Sequence, residues 1–108
     1  MIHWDRVNEL RAEVGDEDFE KVVEIFLEEV EEVVDRFRKQ DQSGLAADLH
    51  FLRGCAINIG FDQFSRTCEE SERAAGAGPI SETELRAIVD SYDRSRAEFM
   101  ERLDFACA

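Results

Sequence analysis

His50 and Arg53 are the residues of this chain whose types and spacing best suit chemistry. An imidazole is nucleophilic and partly neutral near pH 7, so it suits carrying a phosphoryl group. Arg53 lies three residues on, one helical turn away, where its guanidinium can offer donors to phosphoryl oxygens. Asp48 is poorly spaced to pair with Arg53 within a helix. The surroundings of the ring are unusual for a solvated surface. Leu45, Leu49, Leu52, Ala56 and Ile59 recur at spacings of four, three, four and three, which marks one buried stripe of a helix. At about 100° per residue, His50 points roughly 140° away from that stripe. Its companions on the outer face are Ala46, Ala47, Gly54 and Ile57, where Glu, Lys and Gln would be usual. Gly54 costs on the order of 1 kcal/mol relative to Ala in a helix interior. The face reads as a docking platform with a reactive ring at its centre.

The elements that position this ring follow from the rest of the pattern. Asp5 is expected to cap a short first helix carrying Val7, Leu10 and Val14 and stopping at Gly15. A second helix opens at Asp16 or Glu17 and reaches about Gln40. Its expected buried stripe is Phe19, Val23, Phe26, Val30, Val33 and Phe37. Glu20, Glu24, Glu28, Glu31, Glu32 and Asp35 form its outer, solvated face. Asp41-Gln42-Ser43-Gly44 is a turn. The His50 helix ends near Gly60, and a fourth helix starts at about Asp62 with Phe64, Cys68 and Ala75 inward. Gly76-Ala77-Gly78-Pro79 ends it. Ser81 and Glu84 form a capping-box pattern for the last helix, whose stripe is Leu85, Ile88, Tyr92, Ser95, Phe99 and Leu103. Hardly any run alternates with period two. The expected fold is therefore all-α: an antiparallel four-helix bundle with a short additional N-terminal helix, in one domain over residues 1–108. Trp4 is expected to pack at one end. Phe51 lies off the core stripe, flanking the docking face or packing on a neighbour. His3 has no partner motif.

A turn at Phe61-Asp62 makes residues equally far from it level on adjacent helices. Glu72 and Arg73 then fall level with His50, and either can reach the ring or its phosphate. Glu72 is preferred, because a carboxylate accepting from one ring nitrogen leaves the other free to attack. By the same rule Cys55 and Cys68 are expected near each other, buried, and inert as nucleophiles.

His50-Phe51-Leu52-Arg53-Gly54 followed by Gly60 resembles the His-x-Leu-Lys/Arg-Gly…Gly signature of histidine-containing phosphotransfer (HPt) domains of bacterial two-component phosphorelays. Gly15-Asp16-Glu17 before it and Cys68-Glu69-Glu70-Ser71-Glu72 after it resemble the family too. The likeness covers roughly residues 15 to 105. Leu49 departs from the small residue often found before the histidine, and Glu72 or Arg73 from a polar amide. The resemblance implies a four-helix bundle, a phospho-accepting His50, and as partners response-regulator receiver domains and a sensor histidine kinase.

The 108 residues are 44% apolar and carry a net charge of −13. That suffices for one core and argues against nucleic acid or an anionic membrane as partner. No run approaches the ~18 apolar residues of a membrane span, and the start lacks a signal-peptide pattern. Three cysteines without metal-type pairing suit reduced thiols and a cytoplasmic protein. No phosphate-binding glycine loop, His-Glu-x-x-His or Ser/His/Asp arrangement is found. The chain is thus expected to carry phosphoryl groups rather than act as an enzyme, with no cofactor of its own. Mg²⁺ and the carboxylate acceptor are expected on the partner receiver. The alternative is an interaction module that docks a partner through the His50 face without phosphate chemistry. A carboxylate-bridged metal bundle lacks the Glu-x-x-His pairs it would need. A monomer is expected.

Overall fold

Capping residues at 3, 15, 60 and 81 divide the chain into helices. The computed structural model describes residues 2–107, with side chains for residues 2–103. The helices are α1 (Trp4–Val14), α2 (Asp16–Arg38), α3 (Leu45–Ile59), α4 (Asp62–Ala75) and α5 (Glu82–Cys107). Among the described residues the extended pairing is an isolated bridge between Ile2 and Phe61. The fold is all-helical. α2 packs on α3 and α5, α3 on α4, and α4 on α5, while α1 packs on α2 and α3. No helix among the described residues is long and apolar enough to cross a membrane.

The stripes meet in one core. Leu45, Leu49, Leu52, Ala56 and Ile59 of α3 are buried, as are Leu85, Ile88, Tyr92, Ser95, Phe99 and Leu103 of α5. Trp4 stacks on Phe99 with ring centroids 5.8 Å apart. Two expectations for α2 need correction. Its buried stripe runs through Leu27 and Val34, while Phe26 is only partly buried. Leu27 and Val34 continue the four-and-three rhythm from Val23 and Val30 as well as Phe26 and Val33 do, so spacing alone does not choose between them. The helix also ends at Arg38 rather than Gln40. Gln40 has φ +60, a left-handed conformation that the helix cannot continue through.

The start of α1 is likewise corrected. His3, not Asp5, is the cap: its Nδ1 accepts the backbone N–H of Arg6 at 3.0 Å. The backbone N–H of His3 donates to the carbonyl of Gly60 at 2.7 Å. Gly60 caps α3 with φ +85, and a Cβ there would lie 2.8 Å from the carbonyl oxygen of His3. Only glycine suits both the left-handed turn and the close approach. The N-terminal strap is thereby fastened to the end of the helix that bears His50. At the other end of the chain, Ser81 Oγ accepts the N–H of Glu84 at 3.1 Å, as the capping pattern requires.

Candidate functional site

α3 is held on three sides. Asp48, one turn before the outer face, takes the guanidinium of Arg36 on α2 at 2.7 Å. Arg6 on α1 donates through Nε to the carbonyl of Asn58 at 3.0 Å. α4 covers the remaining flank, with Phe64, Ser65, Cys68 and Ser71 turned inward. These contacts fix the rotation of α3, so the residues opposite its stripe must face water. His50 does so, with its side chain 71% exposed. Ala46, Ala47, Gly54 and Ile57 are exposed on the same face, and Phe51 at its edge is partly so. A Cβ built on Gly54 meets nothing within 4 Å. Internal packing therefore does not require the glycine.

Glu72 lies at the border between the buried face of α4 and solvent. Its Oε1 is 3.1 Å from His50 Nδ1, and its Oε2 is 3.3 Å from Arg53 Nε. One carboxylate thus joins both residues of interest. Arg53 Nη2 also approaches Nδ1, at 3.3 Å. A guanidinium can only donate and a carboxylate can only accept, so the two make opposite demands on Nδ1. The carboxylate contact is shorter and charge-assisted, and Arg53 has an acceptor of its own in Oε2. The network therefore assigns the proton to Nδ1, which donates to Glu72. In the neutral ring of that tautomer the lone pair is on Nε2, the nitrogen not engaged by Glu72 or Arg53.

Arg73, the other residue level with His50 by the turn rule, pairs with Glu69 one turn back on α4 at 3.1 Å. α4's contribution at His50 is Glu72. The pairing of Arg53 with Glu72 joins two helices, so spacing along α3 alone does not show it. The turn register sets Arg53 level with Glu69 and Glu70 rather than Glu72; the available signal is that Arg53 lies one helical turn from His50, within reach of the same carboxylate for a long side chain.

The buried thiols are chemically quiet. Cys55 and Cys68 are unpaired and buried on the two packed helices α3 and α4. Burial pushes the Cys55 thiol up, with Glu29 adding to it. Burial pushes Cys68 up to about 12, with the Glu72 charge adding. Neither thiol ionises near neutral pH, so both are inert as nucleophiles there. The side chain of Cys107 lies outside the described residues. Among the described residues no group of three or more His, Cys, Asp or Glu is arranged to hold a metal ion.

The family model of the Hpt domain matches residues 21–98, from α2 to the last third of α5. No curated protein and no solved structure matches the chain.

Proposed function

The chain belongs to the Hpt-domain family, and from that premise we propose that it is a phosphorelay intermediate whose His50 carries the phosphoryl group. Membership assigns it to histidine phosphotransfer in general. The observation that carries the finer reading is the exposed His50 ring with Nδ1 held by Glu72. His50 accepts from a sensor kinase or a receiver aspartate and passes the group to another receiver aspartate. When a receiver aspartate is the donor, Nε2 attacks phosphorus with its lone pair, a P–N bond forms, and the P–O bond to the aspartate carboxylate breaks. Nδ1 keeps its proton throughout, so the product is a phosphorylated imidazolium and no general base is needed. Its positive charge develops beside the Glu72 carboxylate, which stabilises it. Return transfer reverses these steps on a receiver aspartate, with the divalent ion supplied by the receiver.

Glu72 is a positioning residue in this scheme, and Arg53 steadies the phosphoryl oxygens from one turn along α3. Ala46, Ala47, Gly54 and Ile57 form the apolar surface on which the receiver settles, and the bare backbone at Gly54 admits its close approach. We further propose an antiparallel four-helix bundle of α2 to α5. Arg38 meets Asp93 and Glu31 meets Arg96, so α5 advances as α2 retreats, which supports that orientation. A cytoplasmic monomer completes the proposal. The test is to mix the protein with a phosphorylated receiver and look for acid-labile, base-stable phosphate on it. Stable binding with no phosphate transfer would favour a pure docking module instead.

A further inference from the structure

Ile25 extends a large apolar side chain from α2 and is 56% exposed. A single exposed isoleucine is ordinary. This one is not single. Val22 and Phe26 are partly buried beside it, and with Glu29 they line a groove of about 200 Å³. The offsets 22, 25, 26 and 29 are those of one helix face, flanking the α2 stripe that faces the core. Charge frames the groove. Asp18, Lys21, Glu28, Glu29 and Glu32 stand at −7, −4, +3, +4 and +7 from Ile25, and all five are exposed. Four carboxylates and one ammonium therefore surround an apolar groove of helical pitch.

We propose that this face of α2 is a docking site for a basic amphipathic helix of a partner protein. The apolar side of such a helix fits over Val22, Ile25 and Phe26, and its flanking Lys or Arg residues reach the four carboxylates. A second copy of this chain is a poor occupant. It would bring the same carboxylates and a net charge of −13 of its own. The site lies on a different helix from His50 and does not depend on the phosphate chemistry assigned there.

The experiment uses the full chain and two synthetic peptides of identical Leu/Lys composition, one patterned as an amphipathic helix and one scrambled. Calorimetric titration gives affinity and amide NMR gives location. The helical peptide is expected to bind more tightly than the scrambled one and to perturb amides centred on residues 22–29. Ile25→Ser, at an exposed position, is expected to weaken it about tenfold, the scale of a central interface anchor. Equal affinity for both peptides would overturn the proposal, since charge alone would then account for binding. So would perturbations centred on the His50 face, or an unchanged affinity in Ile25→Ser. The amide map on the unaltered protein decides the location even if that variant folds poorly.

Discussion

Replacing Glu72 by Ala should expose how much of the reactivity of His50 is set by its neighbour. The carboxylate is 26% exposed and lies 3.1 Å from Nδ1, while the imidazole is 71% exposed. A hydrogen bond to a charged group contributes about 1.5–3 kcal/mol when sheltered. Solvent around an exposed partner reduces that to about 0.5–1 kcal/mol. At about 1.36 kcal/mol per tenfold in rate, losing this support for the imidazolium slows transfer roughly 2- to 5-fold. A second effect acts in the same direction. Without Glu72, Arg53 Nη2 at 3.3 Å is free to donate to Nδ1. That contact favours the tautomer with its proton on Nε2, which removes the nucleophilic lone pair. Together the two effects bring the loss to about tenfold. Glu72→Gln should fall between, because the amide oxygen can still accept from Nδ1–H but carries no charge. Transfer from a phosphorylated receiver measures the rate, and ¹⁵N NMR of the imidazole reads the tautomer. Wild-type protein should show the proton on Nδ1. A proton on Nε2 in the wild type would refute the reasoning. So would a Glu72→Ala protein with an unaltered tautomer and rate.

Gly54→Glu should keep the fold and raise the melting temperature by a few degrees, since the position is open and Glu is the better helix former. Receiver transfer should nonetheless fall sharply, because a bulky acid would meet the receiver's acidic pocket; unchanged transfer would remove Gly54 from the docking surface. Gly60→Ala should destabilise the protein by about 1–3 kcal/mol through backbone strain and the clash with His3, read as a lower midpoint in chemical denaturation; a neutral result would mean the strap is not held as described. Cys68 should resist thiol reagents in the native state at pH 8. Its folded-state thiol is raised from 9.0 to about 12, so its contribution to stability is complete below about pH 9 and is lost as pH rises toward 12. Fast labelling of native protein at pH 8 would contradict that burial.

Much of the site is legible in the sequence. The α3 stripe is legible because Leu45, Leu49, Leu52 and Ile59 fall on one side of the helix, while the opposite side around His50 holds mostly small residues, Ile57 apart. That fixes where Ala46, Ala47, His50, Gly54 and Ile57 point. The turn at Phe61-Asp62 is sharp enough to carry register from His50 to Glu72. α2 is less legible: Val22, Phe26 and Val33 make a second apolar track beside Val23, Leu27 and Val34, and the helices packed on it, α1, α3 and α5, decide how deeply each lies. Local rules failed where long-range contacts set the outcome. A histidine is an uncommon helix cap, and His3 serves as one while its backbone is fastened to Gly60, far along the chain. Asp48 was unsuited to Arg53 by spacing, and Arg36 on α2 claims it. Neither partner can be found from neighbours in sequence.

Phosphoryl transfer to His50→Gln beside the wild type tests the central claim most directly. Both proteins are incubated with a phosphorylated receiver, and circular dichroism checks that the variant remains helical. Wild type should acquire acid-labile, base-stable phosphate, and the folded variant should acquire none. Phosphate on the folded His50→Gln protein, or none on the wild type with any competent receiver or kinase, would contradict the assignment of His50 as the phosphoryl carrier.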